Sequence, residues 1–318
     1  MSAIREPGKI NENTALIDIG MAGIYGMTAV YLIRGDRTCL IDGGTRQQAR
    51  RLVQMLTAMG AFPPDLIIAT HPHWDHSQAI PWLRQEASRL GKKIDVLASQ
   101  QAIPLLADAA FNDVFDRGPY ESIQDVTPVK EGDTVDLGGI TLRIYDVPGH
   151  CQGHIAILDD RNRTVFVGDA LGIKVRDDIF LPPFMPPTWD PDAFQSSVNK
   201  LRQLPYEALC LAHFGCIGGS EAQTILDESL ETWRTWWRFF NRHAARLSDT
   251  SYLLQAMRQE INLGLPPIQP ITFGVRVLLG LMTSVGSLIG RKTAIIDKLA
   301  FGDAVSWLAT GYRSAPRA

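Results

Sequence analysis

The stretch with the most chemical content is Ala69 to Ser77, "ATHPHWDHS". It holds three of the chain's seven histidines within six positions, with an aspartate between the second and third. "DLIIAT" ahead of it reads as a short buried strand. His71 and His73 therefore alternate along extended backbone and point their rings the same way. Asp75 and His76 follow where the chain turns, and can face a second position a few ångströms off. Four candidate ligands thus stand at the C-terminal end of one strand. Imidazole and carboxylate at this spacing suit a metal site. A lone His-x-His on a strand is mostly coincidence, so the remaining histidines and the placement of acidic residues are the test.

His150 and His154 lie in "PGHCQGH", and His213 closes the apolar run "ALCLAH"; only His243, on a helical stretch, belongs to no motif. Two further segments share one plan. "TAVYLIRGDRTCLIDGG" and "HIAILDDRNRTVFVGDA" each read as strand, polar turn carrying Asp and Arg, second strand, then an aspartate, Asp42 in one and Asp169 in the other. Two matching hairpins that each deliver an aspartate suggest a duplicated half of a sheet structure. Taken in order, the chain presents Asp42, then His71, His73, Asp75 and His76, then His150, Asp169 and His213. This series resembles the metallo-β-lactamase superfamily, whose pattern is a strand-end aspartate, HxHxDH, a histidine in PGHxxGH, a second strand-end aspartate and a late histidine. Five separate segments agree, across residues 14 to 220.

The resemblance implies an α/β fold, an αββα sandwich of two mixed β-sheets flanked by helices. It also implies two divalent metal ions, with zinc the first candidate and iron and manganese compatible with the same donors. Carried over position by position, His71, His73 and His150 hold one ion, and Asp75, His76 and His213 the other. Asp169 bridges them, opposite a bridging water or hydroxide that attacks an ester-like bond. Asp75 and Asp169 are thereby the carboxylates nearest the chemistry. Asp42 organises the ligand loop by hydrogen bonds, and His154 supports the site rather than ligating it, since ligands of this type need orienting partners. No ligand is missing, which sets the chain apart from mononuclear members and from the flavodiiron branch. No Ser or Cys nucleophile is required, and Cys151 inside "GHCQGH" reads as a small buried filler.

The elements that must position these residues are legible in outline. Beyond the hairpins, "TRQQARRLVQMLTAMG" has helical periodicity and ends on Gly60 as a cap. "KKIDVLAS" reads as a strand, Gln100 to Ala110 as a helix, and "DTVDLGGITLRIYDVPGH" as a hairpin turning at Gly138-Gly139. The Pro-rich "LPPFMPPTWDP" ends with Asp190 as N-cap and Pro191 at the first helical position. From Glu221 strand signals cease. A long helix is predicted over "EAQTILDESLETWRTWWRFFNRHAARL", a second from Thr250 to Asn262, and two or three more after "GLPPIQP". The expected division is a catalytic domain over residues 1–220 and a helical C-terminal domain over 221–318 that roofs the active site; a dimer interface is the alternative role for the tail.

A formal net charge of −3 over 318 residues gives no electrostatic footprint for nucleic acid. Four scattered cysteines without CxxC pairs, and no signal-peptide pattern at the start, read as reduced thiols in a cytoplasmic protein. The run "ITFGVRVLLGLMTSVGSLIG" is interrupted by Arg276 and reads as a buried or lid-forming helix, with membrane association as the alternative. A helical tail after a complete core resembles the glyoxalase II-like branch. That likeness points to hydrolysis of a thioester of a small molecule. A lactone, a phosphodiester or a regulatory, non-catalytic role are the competing readings. The aromatic run Trp233, Trp236, Trp237, Phe239 and Phe240 reads first as core packing. "GMAGIYGM" is expected to loop near the metal face, with Tyr25 against substrate.

Overall fold

Period-two alternation decides the architecture. In β3 (Ala29–Arg34) and β4 (Thr38–Ile41), Leu32 and Leu40 enter one buried cluster, while Ile33, Cys39 and Ile41 enter another on the opposite face. A strand apolar on both faces must be covered on both. The computed structural model describes residues 4–23, 25–176, 179–261 and 296–316. It shows the covering layers as a second sheet on one side and helices on the other.

The first sheet runs in sequence order from β1 (Gly8–Lys9) and β2 (Thr14–Asp18) through β3 and β4. It continues to β5 (Leu66–Ile68), β6 (Asp95–Ser99) and β7 (Val126–Val129). Pairing is antiparallel up to β4 and parallel from β4 onward. The second sheet holds β8 (Thr134–Asp136), β9 (Thr141–Asp146), β10 (Ile155–Asp159), β11 (Thr164–Gly168), β14 (Ala208–Leu211) and β15 (Gly215–Gly218). Its order is β15-β14-β11-β10-β9-β8, with β11 and β14 parallel. A small ribbon, β12 (Ile173–Arg176) with β13 (Ile179–Leu181), stands apart.

The two hairpins read from the sequence are β3–β4 and β10–β11, and in each the second strand goes on to a parallel partner, β5 or β14. Between the sheets lie Leu16, Ile68, Leu142, Ile157 and Phe166, with Phe166 tilted against Tyr31 at 5.2 Å. Outside the first sheet, Leu52 and Leu56 of α1 (Ala49–Ala58) and Leu83 of α3 (Ile80–Arg89) cover Leu32 and Ile67. This is the four-layer sandwich the motifs implied. Gly60 follows α1 with φ +64, where an L side chain would be strained, and Asp190 accepts from the amides of Asp192 and Ala193 to start α5 (Pro191–Gln203).

Two helix bounds need correction. The helix expected over Gln100 to Ala110 is the short α4 (Ile103–Ala107), because Pro104 fixes its first turn and Asp108 is already extended. The helix expected from Thr250 to Asn262 ends at Glu260, with Ile261 extended. Of the helices expected after "GLPPIQP", the described residues show α8 (Ile296–Ser314). The run from Ile271 to Gly290 lies outside the described residues. No described helix is long and apolar enough to cross a membrane.

The outer face of the second sheet, through Leu158, Val167 and Leu211, shares one buried cluster with α5 and the helical tail. The tail contributes α6 (Glu221–Arg242), α7 (Thr250–Glu260) and α8 to it. Trp236, Phe239 and Phe240 are fully buried there. Trp233 and Trp237 pack on Phe194 and Phe184. The aromatic run is therefore core packing. Phe166→Ala, which empties the space between the sheets, is expected to destabilise the fold by about 3–5 kcal/mol in denaturant titration.

Candidate metal centre

Every candidate ligand sits at one edge of the sandwich, just past the ends of β4, β5, β11 and β14 or in the turn between β9 and β10. The first hairpin delivers Asp42 at φ +65, a conformation that strains a residue with a Cβ. Three hydrogen bonds to its carboxylate hold it there. Thr70 donates its amide (2.8 Å) and its hydroxyl (2.9 Å), and His76 donates Nδ1–H (2.8 Å). The His76 carbonyl in turn accepts from the amides of Gly43 and Gly44. Asp42 thus fixes the tautomer of His76 and leaves Nε2 free to face the centre.

β5 runs into Thr70 and His71, and α2 (Trp74–Ser77) turns Asp75 and His76 back toward the same space. His71 Nε2, His73 Nδ1 and His150 Nε2 converge, with 3.1 Å between the first two and 2.9 Å between the last two. His150 arrives from the other sheet and is anchored by Nδ1–H donating to the Pro183 carbonyl at 2.6 Å. His213 Nε2 lies 3.2 Å from Asp75 Oδ2, while its Nδ1 meets the Met27 carbonyl. Asp169 Oδ2 stands between the two sets. It is 3.4 Å from His76 Nε2, 3.5 Å from His213 Nε2 and 3.7 Å from His150 Nε2.

Do these residues fit a metal? Nitrogens about 3 Å apart can share a centre at the roughly 2.0–2.1 Å typical of a zinc–imidazole bond. Among the described residues, His76 Nε2, His213 Nε2 and Asp169 Oδ1 are buried with no hydrogen-bond partner, as expected of donors that face a shared cation. The donors group as His71–His73–His150, His71–His76–Asp169 and Asp75–His76–His213. The fit is good. The two outer groups coincide with the two triads read from the sequence.

His154 does not join them. Its Nε2 accepts the Asp169 amide at 3.2 Å, and its ring stacks on His71 at 4.6 Å. It therefore braces both neighbours. Gly168, at φ +50, makes this approach possible. A Cβ there would lie 2.8 Å from Thr70 Oγ1 and 2.9 Å from the His154 ring.

Electrostatics follow from burial and contact. Burial pushes His71, His73, His150 and His154 toward the neutral form. Burial is the largest single influence on His76 and His213 and opposes their protons, but the surrounding carboxylates together outweigh it and raise both, Asp169 with Asp42 for the first and Asp169 with Asp75 for the second. For Asp169, burial works against ionisation, yet His213 and His76 hold its carboxyl well below the usual range. Asp75 is likewise lowered against burial by His76 and His213. Cys151 is the opposite case. Burial pushes its thiol up to about 12, and Thr188 Oγ1 contacts its sulfur at 3.4 Å, so it is inert at neutral pH.

Tyr25 stands on the loop after β2, which Asp18 clamps by accepting the amides of Gly20 and Gly26. Its hydroxyl accepts from Arg51 Nη1 at 2.6 Å, and the guanidinium lies over its ring. Sequence reasoning missed Thr70, although it adjoins His71. It also missed the Pro183 carbonyl and the rings of Phe111 and Phe115, which pack on His73. Nothing in the local sequence marks these last three.

A model of the metallo-beta-lactamase superfamily matches residues 23–213, and the chain belongs to that superfamily. Among curated proteins it is similar to a hydroxyacylglutathione hydrolase of Fuscovulum blasticum, 29% identical over 56% of this chain and 57% of that one. It is also similar to an acyl-coenzyme A thioesterase of Gallus gallus, 30% identical over 45% and 57% respectively. The chain thus spans a little over half the length of these relatives. A solved B3 metallo-beta-lactamase with an active-site glutamic acid superposes with a TM-score of 0.57 at 20% identity, covering 72% of this chain and 88% of that one. An archaeal superfamily protein from Sulfolobus tokodaii gives 0.52 at 21%, covering 72% and 84%. These two likenesses carry the fold alone.

In protein without metal, the carboxylates beside His76 and His213 favour the protonated rings, and a cation must displace those protons. Metal uptake is therefore expected to release protons, and apparent affinity to fall as pH is lowered, since more of each ring is then protonated. Calorimetric titration in buffers of different ionisation enthalpy measures this; uptake without proton release contradicts the assignment.

Proposed function

We propose that the chain is a dinuclear metal hydrolase acting on thioesters with an apolar acyl or aryl group. The observation that carries the reading is an apolar wall beside a complete donor set. Phe111 and Phe115 pack against His73 at 6.0 and 5.1 Å, and Trp307 of α8 stands 5.3 Å behind Phe115. The names of the relatives, one a thioesterase and one a hydrolase of an acylated glutathione, support the same class of bond. Four buried free thiols support a reducing compartment such as the cytoplasm.

In this reading His71, His73 and His150 hold one divalent cation, Asp75, His76 and His213 hold a second, and Asp169 serves both. Bound there, the cations supply Lewis acidity and acidify water near neutral pH. The chain's own groups do the rest. Asp169 and Asp75 stay ionised, and Asp75, at 15% side-chain exposure, is the more open of the two. Phe111 and Phe115 keep water from the His73 side of the donor set.

Reconstituted protein is expected to hydrolyse long-chain or aryl thioesters at least tenfold faster, in kcat/KM, than acetyl thioesters. Equal rates, or faster turnover of a lactone or of bis-(p-nitrophenyl) phosphate, would overturn the assignment. Asp169→Ala and His76→Ala should each lower activity by more than the roughly 10–100-fold typical of losing an orienting partner, with the fold intact. Cys151→Ser should be mild. Damage from the cysteine change with the other two silent would point to thiol chemistry instead.

A further inference from the structure

The ring nitrogens that face away from the converging donors are not all treated alike. His71 Nδ1 meets Thr70 Oγ1 at 3.0 Å, His76 Nδ1 meets Asp42, His150 Nδ1 meets the Pro183 carbonyl, and His213 Nδ1 meets the Met27 carbonyl. His73 differs. Its Nδ1 points into the cluster of donors, and its Nε2 is buried with no hydrogen-bond partner among the described residues. Among the described residues nothing polar sets the rotation of this ring, although a metal-binding imidazole needs an outer contact to fix its orientation.

The contacts that remain are aromatic. Phe111 lies nearly parallel to the His73 ring, 16° between planes, and Phe115 meets it edge-on at 73°. Phe115 is itself edge-on to Trp307 at 5.3 Å and 83°. Trp307 is fixed in place by Arg117, whose guanidinium lies 5.2 Å from its ring centroid and pairs with Asp303 one turn earlier on α8. The loop carrying Phe111, Phe115 and Arg117 is tied to the ligand segment as well. Asn112 donates to the Pro72 carbonyl at 3.0 Å, and Gln78 donates to the carbonyls of Arg117 and Pro119.

We infer that Trp307 is a positioning residue for the metal centre, acting through Phe115 to fix the His73 ring where the other ligands use a hydrogen bond. α8 would then belong to the His71–His73–His150 group and not to the Asp75–His76–His213 group, whose outer ring nitrogens meet Asp42, Met27 and Thr28 among the described residues. The inference rests on the metal-binding reading above but not on the choice of substrate.

Cobalt(II) titration of the full chain, followed by ligand-field absorption, tests it. Wild-type protein should bind two ions with distinguishable spectra. Trp307→Ala should weaken one of them, the all-histidine site, by about tenfold to a hundredfold while the carboxylate-containing site keeps its affinity. Trp307→Phe, which restores an aromatic edge, should recover most of the loss. Tyr312→Phe, elsewhere on α8, removes a hydrogen bond to Asn241 and should change neither site. If Trp307→Ala does not fold, Phe115→Leu carries the same comparison with nearly the same volume. Unchanged affinity at both sites, or parallel weakening of both, overturns the inference. Wild-type protein that takes up no cobalt overturns the metal centre itself, and this inference with it.

Discussion

Converging lone pairs are the constraint on which the rest of this structure depends. His73 Nδ1 lies within 3.1 Å of His71 Nε2 and 2.9 Å of His150 Nε2, and a single proton there can serve only one of them. Burial keeps all three rings toward neutrality, so no arrangement of hydrogens satisfies the group. Each unsatisfied buried polar group costs on the order of 1–3 kcal/mol. A divalent cation is a partner that accepts several such donors together, and the surrounding fold holds them in place for it.

That holding is done by two hairpins in parallel roles. β4 ends on Asp42 and β11 on Asp169, and each aspartate is gripped by a residue that also supports His71. Thr70 donates to Asp42 and meets His71 Nδ1, while His154 accepts from the Asp169 amide and stacks on the His71 ring. His71 is therefore the point where the two sheets meet chemically. The close approach of Gly168 to both Thr70 and His154 sets how near the sheets can come.

The helical tail is tied to this frame in two ways. Its apolar residues share a buried cluster with the outer face of the second sheet. Gly311 of α8 also lies against the backbone next to Pro183, where a Cβ would stand 2.4 Å from the Phe184 carbonyl. Pro183 supplies the carbonyl that anchors His150. The same helix thus abuts both the segment behind His150 and, through Trp307, the ring behind His73.

The sequence alone determined the fold and named the histidines and aspartates that gather at one edge of it, because both are written in local patterns. Period-two apolar runs mark strands, and strand ends mark where aspartate and histidine emerge, so five short segments in order suffice. It also read Cys151 as buried filler and the Trp233–Phe240 run first as core packing, and in the structure Cys151 is buried and the run packs into or against the core. Helix ends were read less well: α4 is shorter than its composition suggested, since Pro104 and the extended Asp108 bound it on either side. Only the tertiary structure decided what stands behind each ligand. The Pro183 and Met27 carbonyls and the Phe115–Trp307 pair reach His150, His213 and His73 across long stretches of chain. A carbonyl carries no side-chain signature and an aromatic ring fits any core, so these contacts exist only once the sheets and helices have packed.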